Sequence, residues 1–171
     1  MIKLNEYLKN VLDFDERIAG NFSGAENSFL RKVFIVVTSF GNGTIWIIIY
    51  AFLIIFPQNP LYKLLPTLVT AEITGLIIIV ALRYLVKRKR PDSDYKYPLY
   101  SPWNKYSFPS QHSLRAFMQA VIIGSSYPSL LPLLLLAAAI IGFSRIYLSR
   151  HYTSDVIAGS LLGVLISLCF I

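Results

Sequence analysis

A chain of 171 residues that is 55% hydrophobic and only 15% charged, with a mean hydropathy of +0.57, has too little polar surface to cover a water-soluble globule. The same balance excludes intrinsic disorder, and the length suits one domain rather than two. Yet the formal net charge is +7, so a greasy chain carries a positive balance that calls for an anionic partner. The first residues, MIKLNEYLKNVLDFDERIAG, lack the apolar central run of a signal peptide. Leu4, Tyr7, Leu8, Val11 and Leu12 follow helical spacing with charges between them. This predicts an amphipathic helix within residues 1–30, lying at the membrane interface or packed on the protein's own edge. Val33 to Phe56 is an uncharged run of 24 residues, longer than the ~20 a helix needs to cross a bilayer. Gly41-Asn42-Gly43 lies inside it and predicts a bend or a break. Pro57 and Pro60 mark a turn, and a second apolar run follows from Leu64 to Leu85 with Glu72 in its middle.

The segment from Pro91 to Ser110 is the one long polar stretch, and it carries Tyr95, Tyr97, Tyr100, Trp103, Tyr106 and Phe108. Aromatics at this density suit the membrane–water interface or a vestibule for an amphiphilic substrate. A third run follows His112 and ends near Tyr127-Pro128, with Arg115 near its start. A fourth spans Leu130 to Tyr147, and a fifth runs from Ser154 to Ile171. Gly159 and Gly163 form a Gly-x-x-x-Gly pair in the fifth, which reads as helix packing within the monomer. The expectation is an all-α polytopic membrane bundle: one domain over residues 1–171, five transmembrane helices and an interfacial N-terminal helix. A sixth crossing requires Gly41–Gly43 to be a true turn between two short helices.

Parity then makes a second prediction. With five crossings, the stretches around Arg83–Arg90, Pro109–His112 and Ser144–Asp155 all emerge on one side, together with the N-terminus. All Lys and Arg residues except Lys63 fall on that side. Arg83 and Arg90 are seven positions apart, which predicts one shared helix face with Lys87 between them. Pro109-Ser110-Gln111-His112 opens a helix, whose free backbone N–H groups point toward an anion. Ser144-Arg145 precedes His151, and Asp155 follows four residues later, a spacing that lets a carboxylate fix the imidazole tautomer.

Read from the residues, this is an anion site. Guanidinium forks fit phosphate. The acid-braced histidine suits a nucleophile, and the histidine at the helix start suits a general acid. One cysteine, Cys169, excludes a disulfide or cysteine-based metal site within the chain, and no carboxylate cluster is set to hold Mg²⁺. The chemistry indicated is metal-free phosphoryl transfer at a membrane surface, with no cofactor and no nucleic-acid partner. Lys87, Arg88 and Lys89 read as side chains that snorkel to lipid headgroups. Glu72 reads either as functional or as a hydrogen-bonded carboxyl between helices.

At these residues the sequence resembles the type-2 phosphatidic acid phosphatase superfamily, the lipid phosphate phosphatases. Its three-part signature is Lys-x6-Arg-Pro, Pro-Ser-Gly-His and Ser-Arg-x5-His-x3-Asp. The third part matches in full as Ser144-Arg145, His151 and Asp155. The second has Gln111 in place of Gly, and the first has Arg83 in place of Lys before Arg90-Pro91. The resemblance implies that His151 attacks phosphorus, Asp155 orients it, and His112 protonates the leaving oxygen. It implies phosphate binding by Arg83, Arg90, Ser110, Gln111 and Arg145. Lys87 and Ser144 are further candidates.

The implied substrate is a membrane lipid with a phosphate or diphosphate headgroup. The short chain and small loops look like bacterial members acting on lipid A 1-phosphate or undecaprenyl diphosphate. Phosphatidylglycerol phosphate and phosphatidic acid are the alternatives. A non-catalytic lipid-phosphate binder or carrier-lipid transporter would keep the cations but would not need both His151 and Asp155. The positive-inside rule assigns the basic side to the cytoplasm. The resemblance implies the opposite, an active site on the periplasmic side of the bacterial inner membrane. The sequence leaves the oligomeric state open.

Overall fold

The computed structural model describes residues 2–22, 29–91 and 102–171. Tyr95, Tyr97, Tyr100 and the side chain of Trp103 lie outside that description. Among the described residues the chain is helical, without a strand, in the order α1 (Ile2–Phe22), α2 (Phe29–Ser39), α3 (Gly43–Ile55), α4 (Leu65–Val86), α5 (Gln111–Ser126), α6 (Leu131–Tyr147) and α7 (Thr153–Leu168). Short 3-10 turns at Pro60–Leu64 and Pro128–Leu130 lead into α4 and α6, with proline at the start of each.

The predicted bend at Gly41-Asn42-Gly43 is present. The chain turns by 46° between α2 and α3, and the pair together is apolar and long enough to be one broken span. The Asn42 side chain caps α3 by accepting the Thr44 N–H, and the Trp46 indole N–H is donated to Phe40 O at 2.9 Å. Gly41 is glycine for a steric reason: a Cβ there would lie 2.9 Å from both His112 and Ile141. The segments Pro60–Val86 and Pro128–Tyr147 are each long and apolar enough to cross a membrane. At 16 residues each, α5 and α7 are only ~24 Å long at 1.5 Å per residue.

Helix α5 is the axis of the bundle. Leu114, Met118 and Ile122 pack with Leu68, Ala71 and Ile79 of α4 and with Ile166 of α7. On another face Ala116 and Ala120 meet Ala138 of α6. The outward faces carry Ile73, Ile77, Leu133, Leu136, Leu161 and Leu165, all exposed, as expected where lipid is the solvent. Lipid tails are as apolar as leucine, so close packing rather than transfer from water selects the inner contacts. Gly159 and Gly163 make that packing possible. A Cβ at either would overlap the backbone carbonyl of Ser110 or Leu114 on α5. The Gly-x-x-x-Gly pair therefore serves the monomer's interior, as the sequence predicts.

A polar network lies inside the apolar bundle. Arg115 of α5 donates through Nε to Glu72 Oε1 at 2.8 Å and pairs with the same oxygen through Nη2. Its Nη1 donates to Gly41 O at 2.7 Å. Gln119 Nε2 adds bonds to Tyr50 Oη and to Glu72 Oε2, so Glu72 stands as an ion-paired acid between α4 and α5, and the network extends to Gly41 and to Tyr50 of α3.

Helix α1 packs on the protein's own edge, one of the two sequence readings. Its second half docks on the protein: Asp15 is buried, and the Phe22 ring meets Phe143 and Tyr147 of α6 at 6.0 and 5.3 Å between centroids. Val11, Leu12 and Phe14 in the preceding turns stay exposed.

Candidate active site

The three segments that parity predicts on one side do meet. Ser110 caps α5 from extended backbone; its Oγ accepts the Ser113 hydroxyl at 2.9 Å, and its N–H donates to Asp155 O at 2.9 Å. The first turn of α5, with Gln111 and His112, is thereby fixed against the start of α7. Arg90 bridges the first and third segments. Its Nε donates to Asn104 O, and its Nη1 donates to Arg150 O and faces His151 Nε2, at 2.8, 2.8 and 2.9 Å. Arg83, buried, reaches the same loop through Asn104 Oδ1 at 2.8 Å. Arg145 donates to Thr38 Oγ1 of α2 at 2.8 Å.

The Arg90 contact fixes the chemistry of His151. A guanidinium has no acceptor, so His151 Nε2 accepts and the ring proton resides on Nδ1. That nitrogen faces Asp155 Oδ2 at 3.7 Å, too long for a hydrogen bond but close enough for the carboxylate to orient the ring. His151 is buried in the loop between α6 and α7. Burial first, then the charges of Arg90, Arg145, Arg83 and His112, hold its pKa well below the usual histidine value. The imidazole is therefore neutral at neutral pH, with Nε2 turned into a nest of cations.

Asp155 is held from several sides. Its Oδ2 takes the Tyr152 N–H at 2.9 Å, closing the first turn of α7. Its Oδ1 takes Arg88 Nη1 at 2.9 Å. The other arm of Arg88 reaches Asp15 Oδ2 on α1 at 2.7 Å, and the guanidinium lies 4.1 Å above the Tyr152 ring.

Four features differ from the sequence expectations. Helix α4 ends at Val86, so Arg83 and Arg90 do not share a helix face; Asn104 brings them together instead. Lys87, a candidate, is the left-handed cap residue of α4 at φ 52° and is exposed. Ser144, the other further candidate, is buried with its hydroxyl donated to Ile141 O of its own helix. Arg88 does not snorkel; two buried carboxylates draw it inward. Reasoning from motifs also missed Asp15 and the positioning roles of Asn104 and Thr38. A signal for Asp15 existed: it continues the Val11 stripe at i+4, and an acid on an apolar stripe points to a buried partner. Among the described residues, His, Cys, Asp and Glu form no group of three that could hold a metal ion.

A cavity of about 400 Å³ begins one turn beyond His112. It runs along Ala116, Ala120 and Ile123 of α5, between Phe40 and Trp46 on one side and Leu134 and Ile141 on the other. Its lining is almost wholly apolar.

The description of the PAP2 superfamily matches residues 64–171, which hold all three motif segments. The chain belongs to the PAP2 superfamily. Among its relatives, an undecaprenyl-diphosphatase of Sulfolobus acidocaldarius is 30% identical over 141 residues, covering 81% of this chain and 68% of that protein. A lipid A 1-phosphatase of Rhizobium johnstonii is 29% identical over 192 residues, covering 98% of this chain and 76% of that one. The PAP2 fold is shared with the crystal structure of a transmembrane phosphatidylglycerolphosphate phosphatase from Bacillus subtilis. The TM-score is 0.76 at 21% identity, over 94% of this chain and 84% of that one. With its apolar helices, this PAP2 chain is an integral membrane protein and an enzyme of a phosphatase family.

Proposed function

We propose that this protein removes a phosphate group from a membrane lipid phosphate or diphosphate through a phosphohistidine on His151. The observation that carries the reading is the Arg90–His151 contact at 2.9 Å, which leaves the nucleophilic lone pair on Nε2 beside phosphate-binding cations. An entering phosphoryl group takes over the Arg90 N–H and meets Arg83 and Arg145. His151 Nε2 then forms a bond to phosphorus as the bond to the leaving oxygen breaks. His112 gives that oxygen a proton. Water next attacks the phosphohistidine, His112 takes the proton back, and phosphate leaves with Nε2 restored. Asp155 supports the positive charge that builds on the ring during each step. Ser110 and the backbone at Gln111 complete the cradle. Oriented donors of this kind contribute about 2.7–4 kcal/mol each to transition-state stabilisation. The charge on the phosphoryl oxygens is met by arginine, so the reaction needs no metal.

The apolar cavity that begins one turn beyond His112 supports a lipid leaving group, because a chain lying in it ends toward that histidine. The preferred substrate is proposed to be lipid A 1-phosphate or undecaprenyl diphosphate, following the named activities of the relatives. Purified protein assayed for phosphate release from these two lipids, phosphatidylglycerol phosphate and phosphatidic acid ranks them by kcat/KM. His151→Ala is expected to abolish release while the protein elutes as a folded species, and EDTA is expected to leave the rate unchanged. Turnover by His151→Ala would refute the mechanism.

Five crossings are proposed: the bent α2–α3 pair, α4, α5, α6 and α7, with the active site on the periplasmic side of the bacterial inner membrane. Asn104 accepts from Arg83, so a labelling probe belongs at the exposed neighbour Lys105. A Lys105→Cys variant with Cys169→Ser should react with an impermeant maleimide in intact spheroplasts. Labelling only after the membrane is opened would reverse the orientation.

A further inference from the structure

Asp15 lies on α1, outside the residues that match the family, yet its carboxylate is as buried as the catalytic candidates. It accepts the Ser154 N–H at 3.0 Å through Oδ1; Ser154 Oγ and Arg88 Nη2 both donate to its Oδ2, the latter at 2.7 Å. Arg88 in turn gives its Nη1 to Asp155 Oδ1 at 2.9 Å and to Ser154 Oγ at 2.7 Å. The guanidinium fork is thus divided, one arm for each aspartate.

That division matters because an arginine fork facing one carboxylate engages both of its oxygens. Bidentate pairing with Asp155 would draw Oδ2 toward Arg88 and away from His151 Nδ1. It would also cancel the charge of Asp155 with a single cation. With Asp15 in place, one guanidinium is shared between two carboxylates. Asp155 keeps Oδ2, which also accepts the Tyr152 N–H, on the side of His151 Nδ1, and a net negative charge behind it. From this geometry we infer that Asp15 is a positioning residue, which acts through Arg88 to hold Asp155 in the one-oxygen arrangement that orients and charges the nucleophile. The inference rests on the reading of His151 as nucleophile.

The test is steady-state hydrolysis of undecaprenyl diphosphate in detergent micelles by full-length protein, with acid-quench trapping of the phosphoryl-enzyme. Asp15→Asn keeps an acceptor for the Ser154 N–H and removes the charge. It is expected to lower kcat about tenfold with KM unchanged, and to lower the melting midpoint because Arg88 loses one of its two buried carboxylates. Asp15→Glu is expected to restore much of the loss. Arg88→Lys, which keeps a charge but cannot fork, is expected to lower kcat by itself, and adding Asp15→Asn to it should cost nothing further. If Asp15→Asn does not accumulate, the Arg88→Lys and Asp15→Glu pair still decides. Arg88→Lys with wild-type kcat refutes the inference. Wild-type kcat in Asp15→Asn, equal losses in Ser154→Ala, or additive losses in the double variant would each overturn it too. Failure to trap any phosphoryl-enzyme in the wild-type protein would instead overturn the proposed mechanism itself.

Discussion

Arg90 meets two backbone carbonyls and the His151 ring with one side chain, a task that only a planar fork can perform. Arg90→Lys keeps the charge and loses the geometry. A drop in kcat/KM of roughly a hundredfold or more is expected, measured against the preferred lipid. The His151 imidazole carries a pH signature. Its folded pKa lies below the value of about 6.5 that it has in an unfolded chain, so below pH 6.5 the unfolded state binds the extra proton. The stability this group contributes is therefore present above about pH 6.5 and is lost as pH falls. The melting midpoint should drop between pH 7 and pH 5 in wild type and drop less in His151→Gln. The acid limb of kcat/KM should likewise lie below pH 6.5. An acid limb at or above the free-histidine value would contradict the burial and the cationic surroundings.

Helix α7 approaches α5 so closely that two of its glycines face backbone carbonyls directly. A methyl group at Gly159 or Gly163 must push the helices apart, which costs about 1–3 kcal/mol. It also moves the Ser110 N–H away from Asp155 O, so activity should fall along with the melting midpoint. Gly20 provides the contrast. A Cβ there meets nothing, so Gly20→Ala should raise the stability of α1 by roughly 0.5–1 kcal/mol. Elements of this kind were readable from sequence. Apolar runs end where the helices end, and the bend sits on the Gly-Asn-Gly tripeptide. Register between distant segments was not readable. That Asn104 would join Arg83 to Arg90 depends on a loop geometry that no periodicity encodes. Arg88 was misread because a basic residue after an apolar run ordinarily goes to water, and its two acidic partners are remote in sequence.

At the scale of the whole bundle, Arg115 of α5 ties α4, through Glu72, to the α2–α3 bend, through Gly41 O. Removing one partner of a buried pair strands the other charge, at a cost of about 3–5 kcal/mol. Arg115→Met is therefore expected to destabilise the protein more than the double variant Arg115→Met with Glu72→Leu, judged by unfolding midpoints in detergent. A double variant as unstable as the single one would show that the Gly41 bond, rather than the ion pair, holds the bundle. The same long reach has a temporal side at Asp15. Its acceptor oxygens leave the ribosome early, while Ser154, whose N–H one of them takes, follows 139 residues later. Helix α1 is thus synthesised before each of the other described helices. Its docking needs the start of α7, so the surroundings of Asp155 are complete only when α1 meets α7.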